Sequence, residues 1–255
     1  MGYSTGALQQ LHSFISTRIP AGGRILDIGS QDINADAISE LCSLAAKLHG
    51  ERAEAVIAER FRTGYTWKVA DLFKDSAYYY RCVDLYPGNL TIQADLNTFI
   101  VPDEHRSTYD LIINQGSTEH ILDQVNSFRC IHDFAKVGCT FWHSVPAIGY
   151  YNHSLFNYHP LFFVFLARAN AYCIEVAGLS TPHFEFTIPA SDALRGTEAW
   201  NGIRQLSGIL TFVMRKTSDR PFQLFTDYDR GIMNAADEND TWSQMVANRY
   251  DLRVR

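Results

Sequence analysis

Two kinds of hydrophobic pattern alternate along the chain: short apolar runs that end in glycine or an acid, and longer stretches with an apolar residue every three or four positions. Leu8, Leu11, Phe14, Ile15 and Ile19 recur at helical spacing and stop at Pro20, with Gly22 and Gly23 beyond. This predicts an amphipathic helix that covers one face of a sheet. Arg24-Ile-Leu-Asp-Ile-Gly29 follows and reads as a buried parallel strand entering a tight turn. From Ala35 to about Arg62, the positions of Ile38, Leu41, Leu44, Ala45 and Leu48 predict one or two helices broken near Gly50. Further strands are predicted at 79–84, 91–94, 109–114 and 140–145. Between the last two, a crossover helix over 121–137 is expected to turn Val125, Phe128, Ile131, His132 and Ala135 to one side.

A polar and aromatic loop at 149–159 leads into a helix at 160–171, where Pro160 suits the first turn. Two β-rich runs, 172–178 and 206–215, close the pattern, the last expected to be antiparallel. Strands that alternate with helices imply an α/β fold: Rossmann-like and doubly wound, a mostly parallel seven-stranded sheet with an antiparallel last strand and helices on both faces. Beyond Asp219 the charges mix and periodicity is lost, so 1–218 is expected to form the domain and 219–255 a C-terminal extension.

Apolar residues make up 46% of the 255, ample for a core, and the net charge of −6 offers no broad basic field for phosphates. Nucleic acid is therefore not an expected partner. The first residues carry no basic-then-apolar leader pattern, and the most apolar run, 161–167, is too short to span a bilayer. The expectation is a cytoplasmic protein with no membrane span. Cys42, Cys82, Cys130, Cys139 and Cys173 are scattered without a C-x-x-C pair, which predicts reduced core residues and neither disulfides nor structural zinc.

Acids at strand ends carry the candidate chemistry. Leu26-Asp27-Ile28-Gly29-Ser30-Gln31-Asp32 delivers an acid and then a glycine into a turn, which lets backbone approach a ligand closely; an ordinary βα turn would read the same way. Asp84, followed by Leu85-Tyr86-Pro87-Gly88, closes its strand where a carboxylate can hold a ribose diol, or simply start a turn. Asp95 ends the next strand, in reach of an adenine amino group. Three successive strands tipped by acids form a pattern.

On these residues, over roughly 20–215, the chain resembles the class I S-adenosylmethionine-dependent methyltransferases, of the bacterial small-molecule and glycan type. The resemblance extends to Tyr109-Asp-Leu-Ile-Ile-Asn-Gln-Gly-Ser-Thr-Glu-His-Ile121, similar to the family's fourth strand and the glutamate-histidine pair after it. It implies a bound S-adenosylmethionine held by Asp27, Gly29 and Ser30 under the methionine part, by Asp84 and Leu85 at the ribose, by Asp95 and Leu96 at the adenine, and by Gln115 and Gly116. The family's G-x-G-x-G turn is here Gly29-Ser30-Gln31-Asp32-Ile33, with one glycine of the three. Residues 35–69 make the path from Asp27 to Asp84 about twice as long as one crossover helix needs, which marks a helical insertion, either a lid or an extra packing pair.

Methyl transfer to oxygen benefits from a base near neutral pH, which points to His143 at the end of the fifth strand and His153 in the following loop. The loop, about 146–160, also resembles that of methyltransferases acting on small molecules and glycans, and implies acceptor contacts from Glu119, Tyr151, Asn157 and His159. A structural role serves each histidine equally well; His120 is expected to cap or orient its helix, and Glu119 sits where the helix dipole would favour an acid. The histidine spacing fits no familiar ligand motif, so no metal is expected. Two other functions fit the pattern less fully: a binding module that keeps the fold without turnover, suggested by the altered glycine turn, and a nicotinamide-dependent oxidoreductase, which lacks G-x-G-x-x-G and any Tyr-x-x-x-Lys pair here.

Overall fold

The computed structural model describes residues 2–60, 67–150, 153–180, 185–187 and 207–226. The first helix, α1 (Thr5–Thr17), starts where the Ser4 hydroxyl accepts from the Ala7 amide, and it buries Ala7, Leu8, Leu11, Phe14 and Ile15. After β1 (Arg24–Ile28) come β2 (Asp32–Ile33) and, beyond the insertion, β3 (Trp67–Lys68), which pair as a small antiparallel ribbon. The insertion contains α2 (Ile38–His49) and α3 (Ala53–Arg60), separated at Gly50 with φ +57°, and is followed by α4 (Val69–Phe73). Leu41, Leu44, Ala45 and Leu48 of α2 join the core against α1, so the described part of the insertion is a packing layer on the sheet face.

The main sheet contains β4 (Tyr79–Asp84), β5 (Thr91–Gln93), β6 (Tyr109–Gln115), β7 (Ala135–Ile148), β8 (Tyr172–Ser180), β9 (Glu185–Thr187) and β10 (Gly208–Lys216), with α5 (Gln124–Phe134) and α6 (Pro160–Ala169) as crossovers. Its order is β5-β4-β1-β6-β7-β10-β8-β9. The first five strands are parallel; β10 runs antiparallel between β7 and β8, the doubly wound, Rossmann-like arrangement. The seven expected strands are all present, and the short β9 adds an eighth, antiparallel at the edge.

Alternation along the central strands splits the core in two. Leu26, Ile28, Ile112, Phe141 and Val145 face α5 and α6, whereas Ile25, Leu111, Ile113 and Trp142 face α1 and α2. Each large side chain fully buried this way contributes about 1.5–3 kcal/mol.

The crossover helix differs from expectation at both ends, and at its start the physical reason is a cap. Asp123 accepts from the Asn126 amide at 2.7 Å, so α5 begins at Gln124 rather than at 121. The buried residues are therefore Ser127, Phe128, Cys130, Ile131, His132 and Phe134, and Val125 points outward at 45% exposure. At the other end the chain passes directly from Phe134 into β7, which leaves Ala135 and Val137 to the strand. The five cysteines are free, with Cys42 exposed rather than in the core, because it lies on the outer side of α2. Beyond β10, the Asn170 side chain binds both the amide and the carbonyl of Gln223, and Phe222 and Phe225 pack on His132 of α5 and Phe162 of α6, so 219–226 adheres to the domain. The rest of the expected extension, 227–255, lies outside the described residues. No helix among the described residues is long and apolar enough to cross a membrane.

Candidate functional site

A cleft of about 420 Å³ opens at the carboxyl edge of the parallel strands. Seven of the predicted cofactor contacts line it: Gly29 and Ser30 after β1, Asp84 and Leu85 after β4, Asp95 and Leu96 after β5, and Gly116 after β6. The turn after β1 requires Gly29, whose φ is +93° and whose position a Cβ would bring to 2.5 Å from Ser117 Oγ. Asp84 fixes that turn across the strand gap, because its Oδ2 accepts from the Ser30 amide at 2.7 Å and its Oδ1 from the Tyr86 amide at 2.9 Å. A carboxylate offers about four acceptor sites, so both oxygens retain capacity for a diol. Asp95 is exposed at the cleft and accepts from the amide and the side chain of Asn97. Val83, Leu85, Leu96 and Ile121 supply apolar wall between these acids. Apolar walls with a few convergent polar groups, at a volume of this order, are what a nucleoside-sized ligand needs, so the residues fit an adenosyl cofactor.

Two predicted cofactor residues do not line the cleft. Asp27 faces the α1 side, fully buried, where its Oδ2 accepts from the hydroxyls of Tyr3 at 3.0 Å and Tyr80 at 3.1 Å. Burial raises its carboxyl well above the ordinary range, against the two tyrosine hydrogen bonds. Gln115 follows the same alternation onto that face and is 9% exposed.

His143 also stands elsewhere than the sequence suggests. It points from β7 into the apolar face beneath α5 and α6, 2% exposed, with ring centroids of Phe128 and Phe163 5.7 and 5.0 Å away. Its Nδ1 accepts from Asn114 Nδ2 at 3.2 Å, and burial lowers its pKa to about 3, so it is a neutral core residue. In a strand, residues one apart face opposite ways, and the odd positions Phe141, His143 and Val145 face the packed side.

The far end of the cleft is polar in a different way. Thr118–His120 form a single 3-10 turn after β6, and His120 lines the cleft. The turn is held by Asn114 Nδ2 and the Tyr158 hydroxyl, each donating to Thr118 Oγ1 at 2.8 Å. Glu119 has no exposure, and neither of its carboxylate oxygens has a hydrogen-bond partner; burial pushes its pKa up to about 7. His153, from the loop after β7, places Nε2 3.9 Å from Glu119 Oε1 and stacks edge-on to His120 with ring centroids 4.9 Å apart. His120, expected to cap or orient its helix, lines the cleft instead, because Asp123 caps α5. Asn157 and His159 serve the loop itself: Asn157 donates to the Gly149 carbonyl, and His159 caps α6 by accepting from the Leu161 amide. Tyr151 lies outside the described residues.

Three positions at the cleft make contacts that the sequence reading does not assign. Gln31 stands where the family has a second glycine, and its side chain folds inward to donate to Ser117 Oγ at 2.7 Å, while Ser117 in turn donates to the Ile28 carbonyl. Lys68 reaches from β3 to the Ser30 carbonyl at 2.9 Å and to Asp32 at 2.7 Å, pinning the ribbon to the cleft rim. His120 is the third; its adjacency to Glu119 is the only local signal.

No family model and no curated protein matches the chain. Solved structures do. A Burkholderia thailandensis 1,6-didemethyltoxoflavin-N1-methyltransferase, with 1,6-didemethyltoxoflavin and S-adenosylhomocysteine bound, is 14% identical over 84% of this chain and 77% of that one, with a TM-score of 0.44. A 16S rRNA (adenine(1408)-N(1))-methyltransferase from Catenulisporales acidiphilia is 9% identical over 86% and 95%, with a TM-score of 0.40. The [4+2]-cyclase SpnF is 11% identical over 86% and 84%, with a TM-score of 0.46. The three carry different activities, so any activity of this chain has to be argued from its own cleft.

Proposed function

We propose that the chain is an S-adenosylmethionine-dependent methyltransferase that passes the methyl group to a hydroxyl of a small-molecule or glycan acceptor. One observation carries the proposal: strand tips from β1, β4, β5 and β6 line a single cleft whose acids, Asp84 and Asp95, stand at the positions that would hold ribose and adenine. The acidic net charge favours an acceptor other than nucleic acid. On this reading residues 1–218 form the catalytic domain, with the loop at 146–160 bordering the acceptor.

The donor supplies an activated methyl on a sulfonium. With the donor bound and Asp84 and Asp95 holding its ribose and adenine, that methyl would be open to in-line displacement by the acceptor oxygen, whose proton needs a base in the cleft. The protein's part is alignment and exclusion of water. Gly29 and Asp84 would hold the donor, while His120 lines the other end of the cleft, with His153, stacked on His120 and beside Glu119, placed to take the proton.

Calorimetric titration with S-adenosylmethionine and S-adenosylhomocysteine, followed by incubation of labelled donor with metabolite and glycan pools, tests this. Donor binding with labelled product is expected; absence of donor binding sinks it. A module that binds donor without turnover is the second reading, favoured by the Gln31 side chain filling the glycine turn, and donor binding without product from any pool would select it.

A further inference from the structure

We infer that Glu119, His120 and His153 bind a divalent first-row transition-metal ion. Among the described residues their possible ligand atoms all lie within 4.8 Å of one another. A fully buried carboxylate with both oxygens unpartnered is a costly arrangement in a folded protein, because a desolvated carboxylate needs hydrogen bonds or a counter-charge. His153 Nε2 is likewise buried without a hydrogen-bond partner, 3.9 Å from that carboxylate and too far to satisfy it. One cation between them meets all three needs.

The backbone already holds the two segments in register. Glu119 and His120 share the 3-10 turn, and the Glu119 carbonyl accepts from the amides of Leu155 and Phe156 at 3.0 and 3.2 Å, which bolts the loop carrying His153 onto the turn. Ligand atoms around a first-row ion lie roughly 3–3.5 Å apart, given bonds of about 2.0–2.2 Å, so the cluster is one small side-chain movement from a binding geometry. Two imidazoles and one carboxylate suit zinc, cobalt, nickel, iron or manganese; magnesium and calcium prefer all-oxygen shells. Three protein ligands leave at least one position open, and His120 lines the cleft, so the open position faces the ligand space. With the ion bound, His153 is its ligand and no longer the base, and an acceptor hydroxyl at the open position would lose its proton to solvent more readily; that last step rests on the proposed methyl transfer, whereas the ion site itself does not.

The test is direct. Tag-free, chelator-treated protein is titrated with Co²⁺, followed by its visible d–d absorption and by metal analysis after dialysis. One Co²⁺ per chain is expected, displaced by Zn²⁺ and not by excess Mg²⁺. His120→Gln and His153→Gln, at an exposed and a half-buried position that leave folding intact by circular dichroism, should each weaken Co²⁺ binding at least about tenfold. No stoichiometric uptake, or uptake unaltered in both variants, overturns the inference. S-adenosylmethionine titrated calorimetrically into the same metal-free protein keeps the two readings apart: donor binding without Co²⁺ uptake removes only the ion, and Co²⁺ uptake without donor binding removes only the methyltransferase.

Discussion

The two ends of the cleft are built on opposite terms. At the β1–β4 end the polar groups form a closed circuit: Ser30 amide to Asp84, Tyr86 amide to Asp84, Gln31 to Ser117, and Ser117 to the Ile28 carbonyl. At the other end the backbone is equally well tied, but Glu119 Oε1, Glu119 Oε2 and His153 Nε2 are buried without hydrogen-bond partners. The first end keeps its shape by its own bonds, so changing it should disturb both stability and donor affinity. The second keeps its shape by backbone and leaves side chains for a ligand, so changing it should disturb turnover while stability barely moves.

His153→Gln is the largest expected effect. Loss of His153, whether it acts as base or as ion ligand, should lower turnover about 10²–10⁴-fold, and because His153 is only partly buried the melting temperature and donor affinity should stay near those of the wild type. Steady-state kinetics beside a thermal melt would break the comparison if stability fell with turnover. Gly29→Ala comes next and should behave the opposite way. A side chain at φ +93° pressed to 2.5 Å from Ser117 Oγ should cost more than about 2 kcal/mol in strain and remove donor binding in calorimetry. A variant that melts normally and binds donor would show that the turn does not depend on its circuit.

His143 sharpens the comparison from outside the cleft. Unfolded, its imidazole titrates near 6.5; folded, near 3. Because the folded pKa is depressed, the unfolded chain takes up the extra proton, and stability present above pH 6.5 is lost as pH falls toward 3, by up to about 1.4 kcal/mol per unit. His143→Gln, whose carbonyl can still accept from Asn114, should remove that slope in urea titrations between pH 5 and 7.5 and leave donor affinity unchanged. A wild-type profile retained in the variant would place the titrating group elsewhere.

How much of this was legible in the sequence follows from the range of each interaction. Strand tips are local: an apolar run ending in Asp84 or Asp95 reads directly, and the structure puts both acids on one cleft. The small ribbon is not, since Asp32–Ile33 and Trp67–Lys68 are two residues each and carry no period. Direction within a strand is only half-local. His143 and Asp27 both sit on runs that reach the cleft edge, yet a one-residue step in the alternation turns each into a core. The Gln31–Ser117 contact spans 86 residues and the Glu119–His153 approach joins a turn to a separate loop, so neither has a spacing to recognise.

The smallest expected effect tests whether Asp27 belongs to the donor end at all. Tyr3→Phe keeps the ring, and with it the edge-on contact to Trp142 at 6.1 Å, and removes one of the two hydroxyls that Asp27 Oδ2 accepts from. Loss of one such bond should cost about 0.5–1.5 kcal/mol, read from urea midpoints. That bond favours the ionised carboxyl, whose pKa burial has raised, so the deficit should widen as pH rises through the folded titration and shrink below it. Donor affinity should not move, because Asp27 has no exposure and does not line the cleft. A tenfold loss of donor binding in Tyr3→Phe, with the fold intact, would mean that the buried acid is felt through the turn above it, and the division between a self-supporting end and a ligand-awaiting end would have to be redrawn to include the strand beneath.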